Sequence, residues 1–263
     1  MTALINNAPQ VYWVGFVTIV RKEISRIRRI WVQTLVPPVI TMTLYFIIFG
    51  NLIGQRIGVM DGFNYVQFIA PGLIMMQVIT NSYGNVVSSF FGSRFGKHID
   101  ELLVSPLPNY VILAGFIVGG IVRGLLVGGL VTIVALFFTR LQLQHPLVTI
   151  SVVLLTSVVF SLAGFINAVY AKNFEGISVI PTFVLTPLTY LGGVFYSISL
   201  LPEFWQSVSK ANPILYMVNA FRYGILGSAD VDIVSAYVMI IGFIFLLTAF
   251  SLYLLEKGTG LRE

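Results

Sequence analysis

The chain has 263 residues, of which 57% are apolar and 10% charged, against roughly 25% charged in an average soluble domain. Much of any folded surface must face water, so this composition excludes a soluble enzyme and a disordered chain. The absence of Cys excludes a disulfide scaffold and any thiol site. Lys and Arg exceed Asp and Glu by 15 to 10, and a mean hydropathy of +0.93 marks an integral membrane protein.

In chain order, the first predicted element is an amphipathic helix at about 11–30. Trp13, Phe16, Val17, Val20, Ile24, Ile27 and Trp31 follow helical spacing, with Thr18, Lys22, Ser25 and Arg29 opposite. A basic helix of this kind lies in the headgroup layer with its apolar face down. It is either a topology anchor or a gate-side helix leading into the first span. Charge-free stretches then locate the spans, because a crossing helix needs roughly 20 apolar residues. They give six, at about 32–53, 64–90, 110–138, 147–170, 177–198 and 233–255. Runs this long and continuous are helical rather than barrel strands. Pro37, Pro38, Pro71, Pro181 and Pro187 fall inside them and predict kinks.

The loop between spans two and three reads FGSRFGKHIDELLVSPLPNY, from Phe91 to Tyr110. Ile99, Leu102 and Leu103 form one apolar face of a short helix, with Lys97, Asp100 and Glu101 more exposed, and Pro106 and Pro108 stop it. Such a helix either docks a soluble partner or packs on the bilayer surface. Span three carries Arg123 near its middle. A mid-bilayer Arg is functional by default, and no acidic residue lies in any span to pair with it. Asn81, Asn167, Tyr side chains, backbone carbonyls and a lipid phosphate are its candidate partners. The alternative is a long tilted span that lets Arg123 snorkel. Gly120, Gly124 and Gly128 recur at intervals of four in the same span, which suits close helix packing within one subunit better than a dimer seam.

The region from about 199 to 232 is apolar and aromatic, but its pieces are too short to span, as in re-entrant or interfacial segments. Pro202 suits a first helical turn, and Asn212-Pro213 reads as a helix start. Arg222 either satisfies carbonyls at a helix C-terminus or contacts substrate. Six spans put both termini on one side, with ten Lys and Arg on that side against four on the other. The positive-inside rule therefore predicts N-in and C-in.

The sequence has no GxxxxGK[ST] loop, GxSxG elbow or HExxH pair. His98 and His145 lie outside the spans, no metal set is formed, and no acidic residue in a span can relay protons. A permease without coupling groups needs an external motor, or it is passive.

Three stretches resemble the permease subunits of ABC type-2 exporters. They are HIDELLVSPLP at 98–108, PLTYLGGVFYSISLLPEFW at 187–205 and NPILYMVNAFRYGI at 212–225. The first is similar to the family's Glu-x-Leu-Leu-x-Ser-Pro-Leu pattern at Glu101, Leu103, Val104, Ser105, Pro106 and Leu107, although the Gly usual before the Glu is displaced. The group is similar to the small inner-membrane permeases of Gram-negative bacteria, which include the Yad-type permeases and the Nod-factor exporters. The resemblance implies a homodimer of permeases above two separate ATP-binding-cassette subunits, which hold the ATP and Mg. This chain itself is then no enzyme and binds no cofactor. The resemblance also implies a coupling helix at about 94–106, including Arg94, Lys97, Asp100, Glu101, Leu102, Leu103 and Pro106. Residues about 201–225 would form an extracellular re-entrant pair that includes Pro202, Asn212, Pro213 and Arg222.

The expected fold is therefore a single all-α integral membrane domain over 1–263. It has six transmembrane helices, an N-terminal interfacial helix, and a re-entrant helical pair between spans five and six. The expected function is a half-subunit of an ATP-driven exporter in the bacterial inner membrane. It would move an amphipathic, lipid-linked or glycan-type solute or a drug. Its partners are the ATPase, a second copy and membrane lipids, with no nucleic acid. The alternative is a passive channel or scaffold subunit.

Overall fold

The computed structural model describes residues 8–258. Arg262, counted in the charge asymmetry, lies outside them. The described chain is almost wholly helical, with one short antiparallel pairing of β1 (Val59–Met60) and β2 (Phe63–Asn64). The helices are α1 (Ala8–Arg29), α2 (Trp31–Tyr45), α3 (Gly54–Ile57), α4 (Tyr65–Phe95), α5 (His98–Val104) and α6 (Asn109–Phe138). They continue as α7 (Pro146–Tyr170), α8 (Gly176–Ile180), α9 (Thr186–Leu191), α10 (Glu203–Lys210), α11 (Pro213–Leu226) and α12 (Ile233–Lys257). Wider π-type turns extend α2 through Phe46–Ile53 and join α8 to α9 through Pro181–Leu185. They fall in two of the three proline-bearing segments, whereas Pro71 lies inside the uninterrupted α4.

Among the described residues, four stretches are long and apolar enough to cross a membrane: Trp31–Gly50, Asn109–Phe138, Pro146–Tyr170 and Ile233–Lys257. Helix α4 has 31 residues but is less apolar, because it is the centre of the bundle. Helices α6, α7 and α11 pack around it, and Gln77, Asn81, Ser82, Asn85, Ser89 and Ser93 are buried there. A helix shielded from lipid by neighbours can carry polar groups that hydrogen-bond within the protein. The fifth expected span is shorter than predicted. Its helical part, Gly176–Leu191, stops at Gly192-Gly193, where Gly193 takes φ +71 and turns the chain. That left-handed conformation is one that residues with a Cβ avoid.

The glycine face of α6 packs within the chain. A Cβ on Gly120 would collide with Ser161 Oγ of α7, one on Gly124 with Ser82 Oγ of α4, and one on Gly128 would lie 2.6 Å from Val78. Those glycines let three helices approach closely.

Helix α1 departs from the expected arrangement. Its protein-facing stripe is Ile19, Glu23 and Ile27, whereas Trp13 (65% exposed), Ile24 and Trp31 face outward. A Cβ on Gly115 would meet Ile19, and one on Gly119 would meet Glu23 at 2.8 Å. So α1 runs parallel to α6 and lies in contact with it. The apolar face predicted to lie down is in fact divided between protein and surroundings, and the protein side includes a carboxylate.

Candidate functional site

One end of the bundle carries α5. Lys97 precedes it in a left-handed conformation (φ +57) and reverses the chain after α4. Ile99 is 1% exposed and Leu102 packs against the core. Contrary to expectation, this apolar face seats α5 on its own subunit, because burying it there removes apolar surface from water at once. Leu103 belongs to α5, but its side chain lies outside the described residues. The outward surface is instead formed by Phe95 (65% exposed), Lys97, Asp100, Glu101, Val104 (87% exposed) and Pro106. Arg94 also has another role than the expected partner contact. Its guanidinium donates to the carbonyls of Ala168 (3.0 Å), Val169 (2.7 Å) and Ala171 (2.9 Å). These lie at the C-terminal end of α7, where helix carbonyls lack intrahelical donors. Arg94 thereby ties the base of the α5 loop to a second long helix.

The opposite end carries the β-hairpin, α10 and α11. Pro202 is exposed and stands just before α10 as its N-cap, one position earlier than a first-turn site. Asn212 caps α11, accepting from Ile214 N at 3.0 Å and donating to Leu188 O at 2.6 Å, and Pro213 opens the helix. This agrees with the predicted start. Arg222 is 1% exposed and donates to Gly193 O (2.6 Å) and Phe68 O (3.4 Å) over the Phe68 ring. It satisfies carbonyls, as one expectation held, but on α4 and the α9 turn rather than at its own helix end. It pins α11 to those two elements and is buried.

A groove that the sequence reading missed runs along α4. The helix is buried on most of its circumference and leaves open Met76, Thr80, Gly84, Ser88 and Gly92, all at intervals of four. No atom would lie within 4 Å of a Cβ at Gly84 or Gly92. Toward the hairpin end the groove deepens into a cavity of about 210 Å³ between α4 and the α8–α9 segment, lined by Met76, Gln77, Thr80, Thr186, Thr189 and Tyr190 among others. Tyr190 also contacts Phe195 (5.8 Å between ring centres), which packs on Tyr45 (5.8 Å) and Phe49 (5.2 Å). This aromatic cluster joins the α2 segment to the α9 segment at that end. The signal in the sequence was the spacing-four run of small and hydroxyl residues in α4. It stood out less than the glycine run in α6.

A polar interior site lies between α1, α4 and α6. Glu23 is fully buried and accepts from Ser89 Oγ at 2.5 Å and Asn85 Nδ2 at 3.5 Å, with Arg26 at 3.4 Å. Arg26 also donates to Asn85 O (2.9 Å), Asn85 Oδ1 (2.6 Å) and Ser88 Oγ (3.3 Å). Lys22 donates to Ser93 at 3.0 Å and sits over the Phe116 ring. Arg123 lies one helical turn beyond Gly119 on this side of α6. Among the described residues, the two expected amides are engaged elsewhere. Asn81 donates to Gln77, and Asn167 donates to Ile177 O at 3.0 Å.

Comparison with known proteins accords with this architecture. The family model for the ABC-2 type transporter matches residues 14–226. The chain is 59% identical over 253 residues to the inner membrane transport permease YadH of Escherichia coli K12, covering 96% of this chain and 99% of that protein. It is 23% identical over 191 residues to nodulation protein J of Rhizobium meliloti, covering 72% and 73% of the two chains. The corresponding protein of Rhizobium leguminosarum bv. viciae is 25% identical over 185 residues, covering 70% and 71%. With apolar membrane-length helices around a polar central helix, and a family match over most of its length, this chain belongs to the ABC-2 type transporter family as a membrane transport permease.

Proposed function

We propose that the chain is the permease half of an ATP-driven exporter. Two copies would act with two separate ATP-binding-cassette subunits, which bind the ATP and Mg. In this reading the spans are α2 with its π-type extension, α4, α6, α7, the α8–α9 segment and α12. Both termini face the cytoplasm, and α10 and α11 form the outer re-entrant pair. The observation that carries the proposal is α5. It is a short helix seated by its apolar face, showing Asp100, Glu101 and Val104 outward. Arg94 ties its base to α7. A push on that surface passes into α4 and α7 together, with little slack to absorb it.

The groove on α4 supports a translocation path. Thr80, Ser88 and Thr186, whose hydroxyls donate to carbonyls of their own segments, give the groove a polar stripe that suits a second copy and an intervening aqueous path. The kinked α2 and α8–α9 segments flank it and meet at the Tyr45–Phe49–Tyr190–Phe195 cluster, which suits an outer gate. Such a path suits an amphipathic, lipid-linked or glycan-type solute, or a drug. The family match and the likeness to nodulation protein J support export.

The test is co-purification with the candidate ATPase, followed by reconstitution into vesicles. The proposal expects vanadate-sensitive hydrolysis that falls when Glu101 and Val104 are both changed to Lys. Flux without nucleotide would instead establish a passive channel.

A further inference from the structure

Arg123 is partly exposed, and its Nε is buried without a hydrogen-bond partner among the described residues. The Nε of Arg26 is in the same condition. The register of α1 on α6, with Ile19 at Gly115 and Glu23 at Gly119, brings position 123 to the level of Arg26. The one carboxylate at the site, Glu23, is already engaged by Ser89, Asn85 and Arg26. Two guanidinium groups thus stand side by side with one spent counter-charge and unused donors. Buried donors left unpaired are costly, and like charges in a poorly solvated place are more so.

The depth of the site identifies what would complete it. At the hairpin end, Gly54, Tyr65 and Thr139 line one pocket and so mark one level. Arg123 lies 16 residues before Thr139, or about 24 Å at 1.5 Å per residue. Asn85, the partner of Arg26, lies 20 residues after Tyr65, or about 30 Å. The hydrocarbon core is about 30 Å thick. Gly50 and Phe138, which end two of the apolar stretches, line the same pocket; with that level taken as the outer edge of the core, the two guanidinium groups bracket its inner edge, on the α5 side. On that placement Arg123 lies on the α5 side of the bilayer centre, and α6 extends beyond the core on this side. Outside the boundary the wall is polar, with Lys22, Ser88 and Ser93. Inside it, Trp31 and Val32 are exposed and apolar.

We infer that Arg26 and Arg123 form a binding site for the phosphate of an anionic phospholipid, whose acyl chains lie along the exposed start of α2. A phosphate diester offers two unesterified oxygens to two planar donors and supplies the charge that Glu23 does not. The site meets the groove only at Ser88, is separate from the α5 surface, and does not depend on transport.

The experiment is native mass spectrometry of the purified chain from mixed micelles containing phosphatidylglycerol and phosphatidylcholine, with thermal unfolding in parallel. The wild-type chain is expected to retain phosphatidylglycerol over phosphatidylcholine and to unfold at higher temperature with it. Arg123→Gln should lower retention by about fivefold, the effect of one basic residue near a charged bilayer surface. Arg21→Gln, an exposed cation more than one turn before Arg26 on α1, should leave retention unchanged. Arg123→Lys keeps the charge without the Nε donor and should fall between. Equal retention by wild type and Arg123→Gln overturns the site. If Arg123→Gln does not fold, equal retention of the two lipids by the wild-type chain at low salt overturns it. Stabilisation by inorganic phosphate that depends on Arg123, without lipid retention, assigns the site to a free anion and overturns the lipid.

Discussion

Replacing Glu23 by Ala should destabilise the chain by about 3 kcal/mol, and the structure divides this cost among its contacts. The Ser89 hydroxyl bonds the carboxylate at 2.5 Å, and a hydrogen bond to a charged group contributes about 1.5–3 kcal/mol. Breaking a fully buried ion pair costs about 3–5 kcal/mol, but Arg26 is 18% exposed and keeps both Asn85 acceptors, so only part of that cost applies. The pair at 3.4 Å and the Asn85 contact at 3.5 Å add the smaller share. For a chain of this size a change of about 1 kcal/mol moves Tm by about 2 °C at the low end of the usual scale, so Glu23→Ala should lower Tm by about 6 °C. Intrinsic fluorescence in detergent is a suitable readout, because Trp13 and Trp31 flank the site on α1 and α2. Glu23→Gln keeps the shape and should lose about half as much. A double-mutant cycle with Ser89→Ala should give a coupling above about 0.5 kcal/mol, as groups in one network do. A Tm change below about 1 °C for Glu23→Ala, equivalent to about 0.5 kcal/mol on the same scale, would refute the reasoning. It would mean that water or detergent solvates the pocket and that α1 is not locked to α4 by its charge.

Three further outcomes test the remaining parts of the structure. Ile99→Ala should destabilise by about 2–4 kcal/mol, as cavities in a packed core do, while Val104→Asp should leave thermal stability unchanged yet weaken ATPase co-purification; the reverse pattern would restore the apolar face as the docking surface. Arg222→Met should cost about 2 kcal/mol by removing two charged hydrogen bonds to carbonyls, less the desolvation of the Arg itself, with proteolysis of the α9–α10 turn as the sensitive measure. Gly84→Ala should stabilise the isolated chain by up to about 1 kcal/mol through helix propensity, whereas Gly124→Ala should destabilise it by about 1–3 kcal/mol through overpacking. Loss of transport in the stable Gly84→Ala variant would place a second copy or the solute against the groove, and unchanged transport would remove the groove from the path.

Sequence alone determined the membrane class and the positions of the long helices, because the hydrophobic cost of exposing polar groups to lipid is written residue by residue into composition. It also located the Asn212-Pro213 helix start and the short α5, since caps and proline stops act within a few neighbouring positions. The tertiary structure decided which way each face points. The apolar side of α5 turned inward because its own bundle lies within reach, and Arg94 was taken up by carbonyls 74–77 residues away. Arg222 became a strut through contacts 29 and 154 residues distant. Glu23, an ordinary acid on a basic helix when read in sequence, became the buried partner of a serine 66 residues on. Periodicity records how much of a helix avoids water or lipid, and it carries no information about which distant polar group comes to meet it. That is fixed only when the helices close on one another and each buried donor and acceptor must find its partner.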